Sequence, residues 1–206
     1  MDSVYLSTAY LGPVQYYCKL LSFDGVMLEA QESYLKQTYR NRCLIATANG
    51  TQSLSVPVEN PPTDKCLIRD IRISDHGNWR HLHWNALVSA YGMSPFFEYY
   101  WYDFAPFYER NYQFLFDFNE QLRLTVCELL DIHPQVNFTT EYSPVVRNDF
   151  RETIRPKPTS TDNSFAPKPY YQVFQGKYDF LSNLSIIDLL FNMGPESVLI
   201  LQRSIR

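Results

Sequence analysis

Lys36, Arg40 and Arg42 fall inside one short stretch, KQTYRNRC, of a chain whose formal net charge is −4. Taken as an extended strand, the stretch projects Lys36, Thr38, Arg40 and Arg42 to one face and Gln37, Tyr39, Asn41 and Cys43 to the other. Arg40 and Arg42 would then stand ~7 Å apart. Two guanidinium forks at that separation can grip neighbouring oxyanions such as a diphosphate. The competing reading is an edge strand whose cations face water and block aggregation.

HGNWRHLHW supplies His76, His81 and His83. A helical metal pair needs a spacing of three or four, so His81 and His83 point apart and no metal site is expected. His83 lies four residues after Trp79 on an apolar stripe. It is either a satisfied core histidine or a general base with a pKa near neutrality. Asn119 sits on the buried side of its helix between Leu115 and Leu122, and Asp188 interrupts an apolar helix. Each must brace a loop or meet a ligand. Between Ser94 and Phe118 aromatic residues recur at core spacing, with a surplus of rings that could line a groove or a partner interface. Neither common phosphate-cradling glycine loop is present, nor G-x-S-x-G nor H-E-x-x-H.

The elements that would position these groups are legible in part. SVYLSTAYL reads as a first strand, Pro13 suits the first position of a helix through VQYYCKLLSF, and GVMLEA is a second strand, parallel by default. The run beginning at Arg40 forms a hairpin with SLSVPVE about Asn49-Gly50. CLIRDIRIS reads as a further strand with Ile71 and Ile73 on one side. Helices follow: one capped by Asn78, one from Ser94-Pro95 interrupted at Asp103–Pro106, and one from Leu115 to about Ile132. A last one has Asn183 as cap and Gly194 as stop. An irregular Pro-rich loop spans about 144–169. The expected fold is a single α/β domain over 1–206: a mixed sheet from the N-terminal half, covered by C-terminal helices.

With 19% charged and 45% hydrophobic residues the chain has the composition of a folded domain. Its acidic balance argues against nucleic-acid binding through a broad basic surface. Cys18, Cys43, Cys66 and Cys127 have no metal-ligand spacing and read as reduced, mostly buried thiols. No apolar run reaches ~20 residues, so no membrane insertion is expected, and without an export signal the expected location is the cytoplasm.

Six blocks carry a resemblance: YLGPVQYYCKLL, KQTYRNRCLI, TANGTQSLSVPV, WRHLHWNALVSAYGMSPFF, FLFDFNEQL with ELLDI, and NLSIIDLLFNMGPES. Together they resemble the WbqC-like family of bacterial proteins, in the family's order and over most of the chain. The family pattern matches Lys36, Tyr39, Arg40-Asn41-Arg42, Trp79, His83, Tyr91 and Asp117-x-Asn119. Where many members have Gln-Pro before the Tyr-Leu pair, this chain has Ser7-Thr8, so that it would either use Ser7 and Thr8 for any ligand contact made there or take a different substrate.

The resemblance implies a role in O-antigen or other surface-polysaccharide biosynthesis. On that basis the expected activity is transfer of a small group to an activated amino sugar. Lys36, Arg40 and Arg42 would clamp its diphosphate, with Asn41 also binding the substrate. His83 would be the catalytic base, Tyr10, Tyr39 and Trp79 would wall the sugar, and Asn119 would contact substrate. The expected partner is a phosphorylated or nucleotide-linked sugar, with no cofactor, and a homo-oligomer stays open. The alternative is a non-catalytic module that binds a sugar phosphate or a protein partner. In that reading His83 would be sealed in the core. Nucleotidyl transfer, suggested by the strand–helix–strand opening, lacks its H-x-G-H signature.

Overall fold

Val4 and Leu6 are buried and their neighbours half-exposed, the alternation of a strand with one face on a core: β1 (Ser3–Ser7). In this computed structural model, which describes residues 2–61, 63 and 65–206, β1 pairs parallel with β2 (Gly25–Glu29). β2 pairs parallel with β5 (Gln135–Phe138), giving the order β1-β2-β5. On its other edge β1 holds a single parallel bridge between Tyr5 and Asp149. Tyr5 N–H donates to the Asn148 carbonyl, and Phe150 N–H donates to that of Tyr5, both at 3.0 Å. The chain thus steps from β1 outward to β2 and β5 and then returns to the far side of β1. Such a reversal leaves a crevice at the carboxyl ends of the strands, where ligands of open α/β sheets bind.

α1 (Val14–Ser22) makes the crossover from β1 to β2. Its residues from Val14 to Leu20 are all buried, because α6 (Ile186–Met193) and α7 (Ser197–Ser204) cover the side that faces away from the sheet. Pro13 stands one position ahead of the helix in extended conformation, not at its first turn. Asn183 does not cap α6, which starts later, at Ile186. Its Oδ1 instead accepts the free N–H of Gln15, capping the first turn of α1 at 3.0 Å.

The hairpin of β3 (Arg42–Thr47) and β4 (Gly50–Ser55) does not join the parallel sheet. Its loop is Ala48–Asn49, and Gly50 takes the positive φ of 98° just after it. The strand expected to begin at Lys36 begins only at Arg42. Residues 36–41 form turns: Gln37, at φ 60°, turns the chain between Lys36 and the two arginines, and Arg40 lies in the turn while Arg42 opens the strand, so the two do not alternate along one strand. CLIRDIRIS is likewise not a strand: a 3-10 turn covers Ile68–Asp70, and Arg72 and Ile73 make only isolated bridges, to Phe114 and Val58. Ile71 and Ile73 are buried as the alternation required.

α2 (Trp79–Tyr91), α3 (Phe97–Glu109) and α4 (Leu115–Leu129) follow. α3 passes through Asp103–Pro106 without interruption. The bond Pro106 cannot donate would have gone to the carbonyl of Tyr102, an exposed residue whose carbonyl water can satisfy. A single turn, α5 (Gln175–Tyr178), precedes α6. No helix or strand occurs in residues 144–169. The segment is nonetheless pinned: Lys19 pairs with Asp162 at 2.7 Å, and Ala166 N–H donates to the Ser204 carbonyl at 2.8 Å. One apolar cluster runs from the sheet through α1, α2, α3, α4 and α6. Within it Asp188 accepts from Tyr91, Tyr170 and Gln172, so this buried polar residue braces the core. Burial raises its pKa above the usual carboxylate range.

Candidate functional site

The three parallel strands end at Ser7, Glu29 and Phe138, and each end delivers polar groups to the same edge of the sheet. Glu29 is fully buried. It accepts from Arg151 Nη1 at 2.7 Å, from Gln31 N–H at 2.8 Å and from Thr139 Oγ1 at 2.5 Å. Arg151 also forks onto Asp149, at 2.9 and 2.7 Å, and lies over the ring of Tyr142. Those charge-assisted bonds hold its pKa above the ordinary guanidinium value, against the opposing effect of burial. Beside it, Glu32 accepts from Arg40 Nε at 2.7 Å and from Ser7 Oγ at 3.1 Å, while Arg40 Nη2 donates to Ser7 Oγ at 2.8 Å. Two buried arginines therefore stand at the crevice beside β1, each bound by carboxylates. The space between them, next to Thr8 and Tyr39, is about 10 Å³, room for about one water.

Outside this wall, at the ends of β2 and β5, opens a cleft of about 810 Å³. Its floor is Gln31, Thr139 and Thr140, and Phe138 and Phe116, in edge-to-face contact at 5.6 Å, make an apolar side. α4 contributes Asp117, Glu120 and Gln121, and Arg69 stands at the rim. Arg123 binds Glu120, with Nε donating at 2.8 Å. Among the described residues Asp117, exposed on α4, has no ion-pair or hydrogen-bond partner, whereas Glu120 is paired with Arg123.

The residues singled out from sequence are placed as follows. Lys36 is exposed on its turn and lines a separate hollow with Tyr34 and Leu35. Arg42 opens β3 and donates from Nε to Ser55 Oγ at 3.1 Å. Arg40 is buried against Glu32, so the three cations do not gather around one cavity. Asn41 Nδ2 donates to the Val56 carbonyl at 2.9 Å, and Asn119 Nδ2 donates to the Arg40 carbonyl at 2.7 Å. Both amides hold the turn that carries Arg40. Tyr39 is buried beside Arg40 at the small crevice.

Tyr10, Trp79 and His83 do come together, in the core. The Tyr10 hydroxyl lies 2.9 Å from His83 Nδ1 and 2.8 Å from the Tyr108 hydroxyl, and the rings of Trp79 and His83 meet edge to face at 5.1 Å. Burial lowers the His83 pKa to about 4, only partly opposed by the Ser55 carbonyl, so the ring is neutral near pH 7. Sealed among aromatic side chains and lining none of the cavities described above, His83 is a satisfied core histidine.

Sequence reasoning passed over Glu29, Glu32, Arg151, Gln31 and Thr139, and took Asp117 only as part of a family pattern. Their one shared signal is position: most lie within a few residues of the carboxyl end of a strand. Among the described residues no group of three or more His, Cys, Asp and Glu stands close enough to hold a metal ion, and no helix is long and apolar enough to cross a membrane. The free cysteines Cys18, Cys43 and Cys127 are buried.

These features define an α/β protein with a parallel three-stranded sheet and a ligand-sized cleft at the carboxyl ends of its strands. The chain belongs to the WbqC-like protein family, whose model matches residues 8–155. That match spans the hairpin, α2 to α4, β5 and Arg151. A relative from Mycobacterium tuberculosis (strain ATCC 25618 / H37Rv), "Uncharacterized protein Rv1507c", is 26% identical over 211 residues, covering 90% of this chain and 91% of its own length. No solved structure gives a significant match.

Proposed function

We propose that the chain binds an activated amino sugar in the cleft at the ends of β2 and β5 and acts on it in surface-polysaccharide assembly, transferring a small group to the sugar. The observation that carries this reading is the chemistry of the cleft wall: Asp117 without a protein partner, in one lining with Gln31, Gln121, Thr139 and Thr140 and the rings of Phe116 and Phe138. A sugar offers an apolar C–H face and a hydrogen-bonding edge, and this lining offers a counterpart to each. Asp117 accepts a hydrogen bond from the amine and is the base for its proton. Arg69, at the open rim, meets the phosphates. The clamp thus moves from Lys36, Arg40 and Arg42 to Arg69, and the base from His83 to Asp117.

A thermal-shift and calorimetry series tests it, with a nucleotide-linked amino sugar and its N-acetyl counterpart as probes. At 100 times its dissociation constant the amino sugar adds about 2.7 kcal/mol to stability. Asp117→Asn weakens the free-amine ligand more than the N-acetyl one, and Arg69→Ala weakens both. If neither ligand shifts melting, or if Asp117→Asn treats both alike, the reading is wrong.

A further inference from the structure

α2 and α3 pack most of their aromatic residues inward, yet Tyr99 and Tyr102, three residues apart on one side of α3, remain outside. Trp84 stacks on Trp101 with 6.1 Å between ring centres, and Trp101 meets Tyr102 at 4.4 Å. Tyr102 is 71% exposed, Tyr99 81%, and Met93, in the link between the two helices, 88%. Large apolar groups left in water side by side mark an interaction surface more often than a solvated face.

The charges on the same helices decide what covers it. Glu98 precedes Tyr102 by four residues and Asp103 follows Tyr99 by four, so each exposed ring has a carboxylate on its own helical face. Glu109 closes α3. From Trp79 to Glu109 the sequence has one Lys or Arg, Arg80, and Asp75 binds it at 2.6 Å. Partial burial, and after it the charge of Glu128 of α4, raises the pKa of Asp103. The surface is aromatic at its centre and anionic at its rim.

We propose that this face docks a basic amphipathic segment of a partner protein, its apolar side on Tyr99 and Tyr102 and its Lys or Arg side chains against Glu98 and Asp103. A second copy of this chain fits poorly, because an isologous pair would set the same carboxylates against each other. An anionic membrane surface repels them too. None of these residues lines the cleft at the ends of β2 and β5, so the proposal stands independently of the sugar reading.

The test titrates the full chain with a synthetic amphipathic helix of leucine and lysine, and with its leucine–glutamate counterpart, by tryptophan fluorescence and calorimetry. The lysine peptide binds, and more weakly as salt rises. The double variant Tyr99→Ala/Tyr102→Ala loses affinity about tenfold or more while keeping its circular dichroism and melting temperature. Glu98→Gln/Asp103→Asn removes most of the salt dependence. Equal binding of the two peptides, no binding of either, or an unchanged affinity in the tyrosine variant overturns the proposal. So does a concentration-dependent dimer in sedimentation that the tyrosine variant abolishes, which would make the partner a second copy, or co-flotation with anionic vesicles.

Discussion

Arg151 Nη1 donates to Glu29 Oε2 at 2.7 Å, joining residues 122 apart in the chain, and both side chains are almost wholly out of water. The pair fastens the irregular segment after β5 to the carboxyl end of β2. Because Glu29 also accepts from Thr139, the same carboxylate holds the floor of the cleft. Removing one partner of a buried ion pair costs more than the pair itself is worth, since a desolvated charge is left behind. Arg151→Ala, which strands Glu29, should cost about 3–5 kcal/mol in urea unfolding. Glu29→Gln should cost about 1.5–3 kcal/mol, because Arg151 keeps its fork on Asp149. Equal losses for the two variants would contradict this division.

The sequence carried the order of the elements better than the location of the site, and particular residues show why. Alternation and turn chemistry located β1, α1, β2 and the hairpin, since each is local. Alternation alone could not tell that residues 36–41 form turns, with Gln37 at positive φ, so that Arg40 lies outside the strand that Arg42 opens. β5 and α7 were not anticipated. β5 has four residues, mostly exposed, so no burial pattern marks it. Asn119 and Asp188 are polar residues at core positions, and bracing was one of the two readings open for each. The cleft brings together strand ends and α4, residues of common type whose only distinction is a tertiary position. Asp117 is legible as chemistry only once it is seen to share a cleft with Gln31 and Thr140.

His83 sets a dependence of stability on pH. Its folded pKa of about 4 lies below the ordinary 6.5, so below pH 6.5 the unfolded chain takes up a proton that the folded one refuses. The stability His83 contributes is therefore present above about pH 6.5 and lost as pH falls toward 4. The loss is of order 3 kcal/mol over that window. Asp188, whose folded pKa is raised, works in the opposite sense on acidification, so the wild type alone does not isolate the effect. Comparing wild type with His83→Gln across the window does. The difference between them should shrink as pH falls, and the His83 ring protons should not titrate between pH 8 and 5 in proton NMR.

Lys19, buried on α1, donates to Ser164 Oγ at 2.6 Å and pairs with Asp162, which also accepts from Gln15 Nε2 at 2.8 Å. These bonds lower the Asp162 pKa in spite of its partial burial, so their contribution is present above the usual carboxylate range and lost as pH falls through the folded pKa. Lys19→Met keeps most of the aliphatic stem and removes the charge. It should free the segment around residues 155–161 before the domain as a whole unfolds. Limited digestion by a protease of broad specificity should cut that segment at least tenfold faster in the variant. Cutting elsewhere first would count against the anchor.

Gly194 ends α6 at φ 54°, and a Cβ there would lie 2.5 Å from two ring atoms of Phe96. The Phe96 ring cannot retreat freely, because its backbone N–H donates to the Phe191 carbonyl of α6 at 2.9 Å. Gly194→Ala therefore combines about 1–3 kcal/mol of backbone strain with about 1–3 kcal/mol of overpacking. For a chain of this size each kcal/mol lowers the melting temperature by about 2–4 °C. Phe96→Ala removes the steric half and leaves the dihedral half. The double variant Gly194→Ala/Phe96→Ala should then be less destabilised than the sum of the single variants by about 1 kcal/mol or more. Strict additivity would mean that the helix stop rests on the dihedral alone and that Phe96 has no part in it.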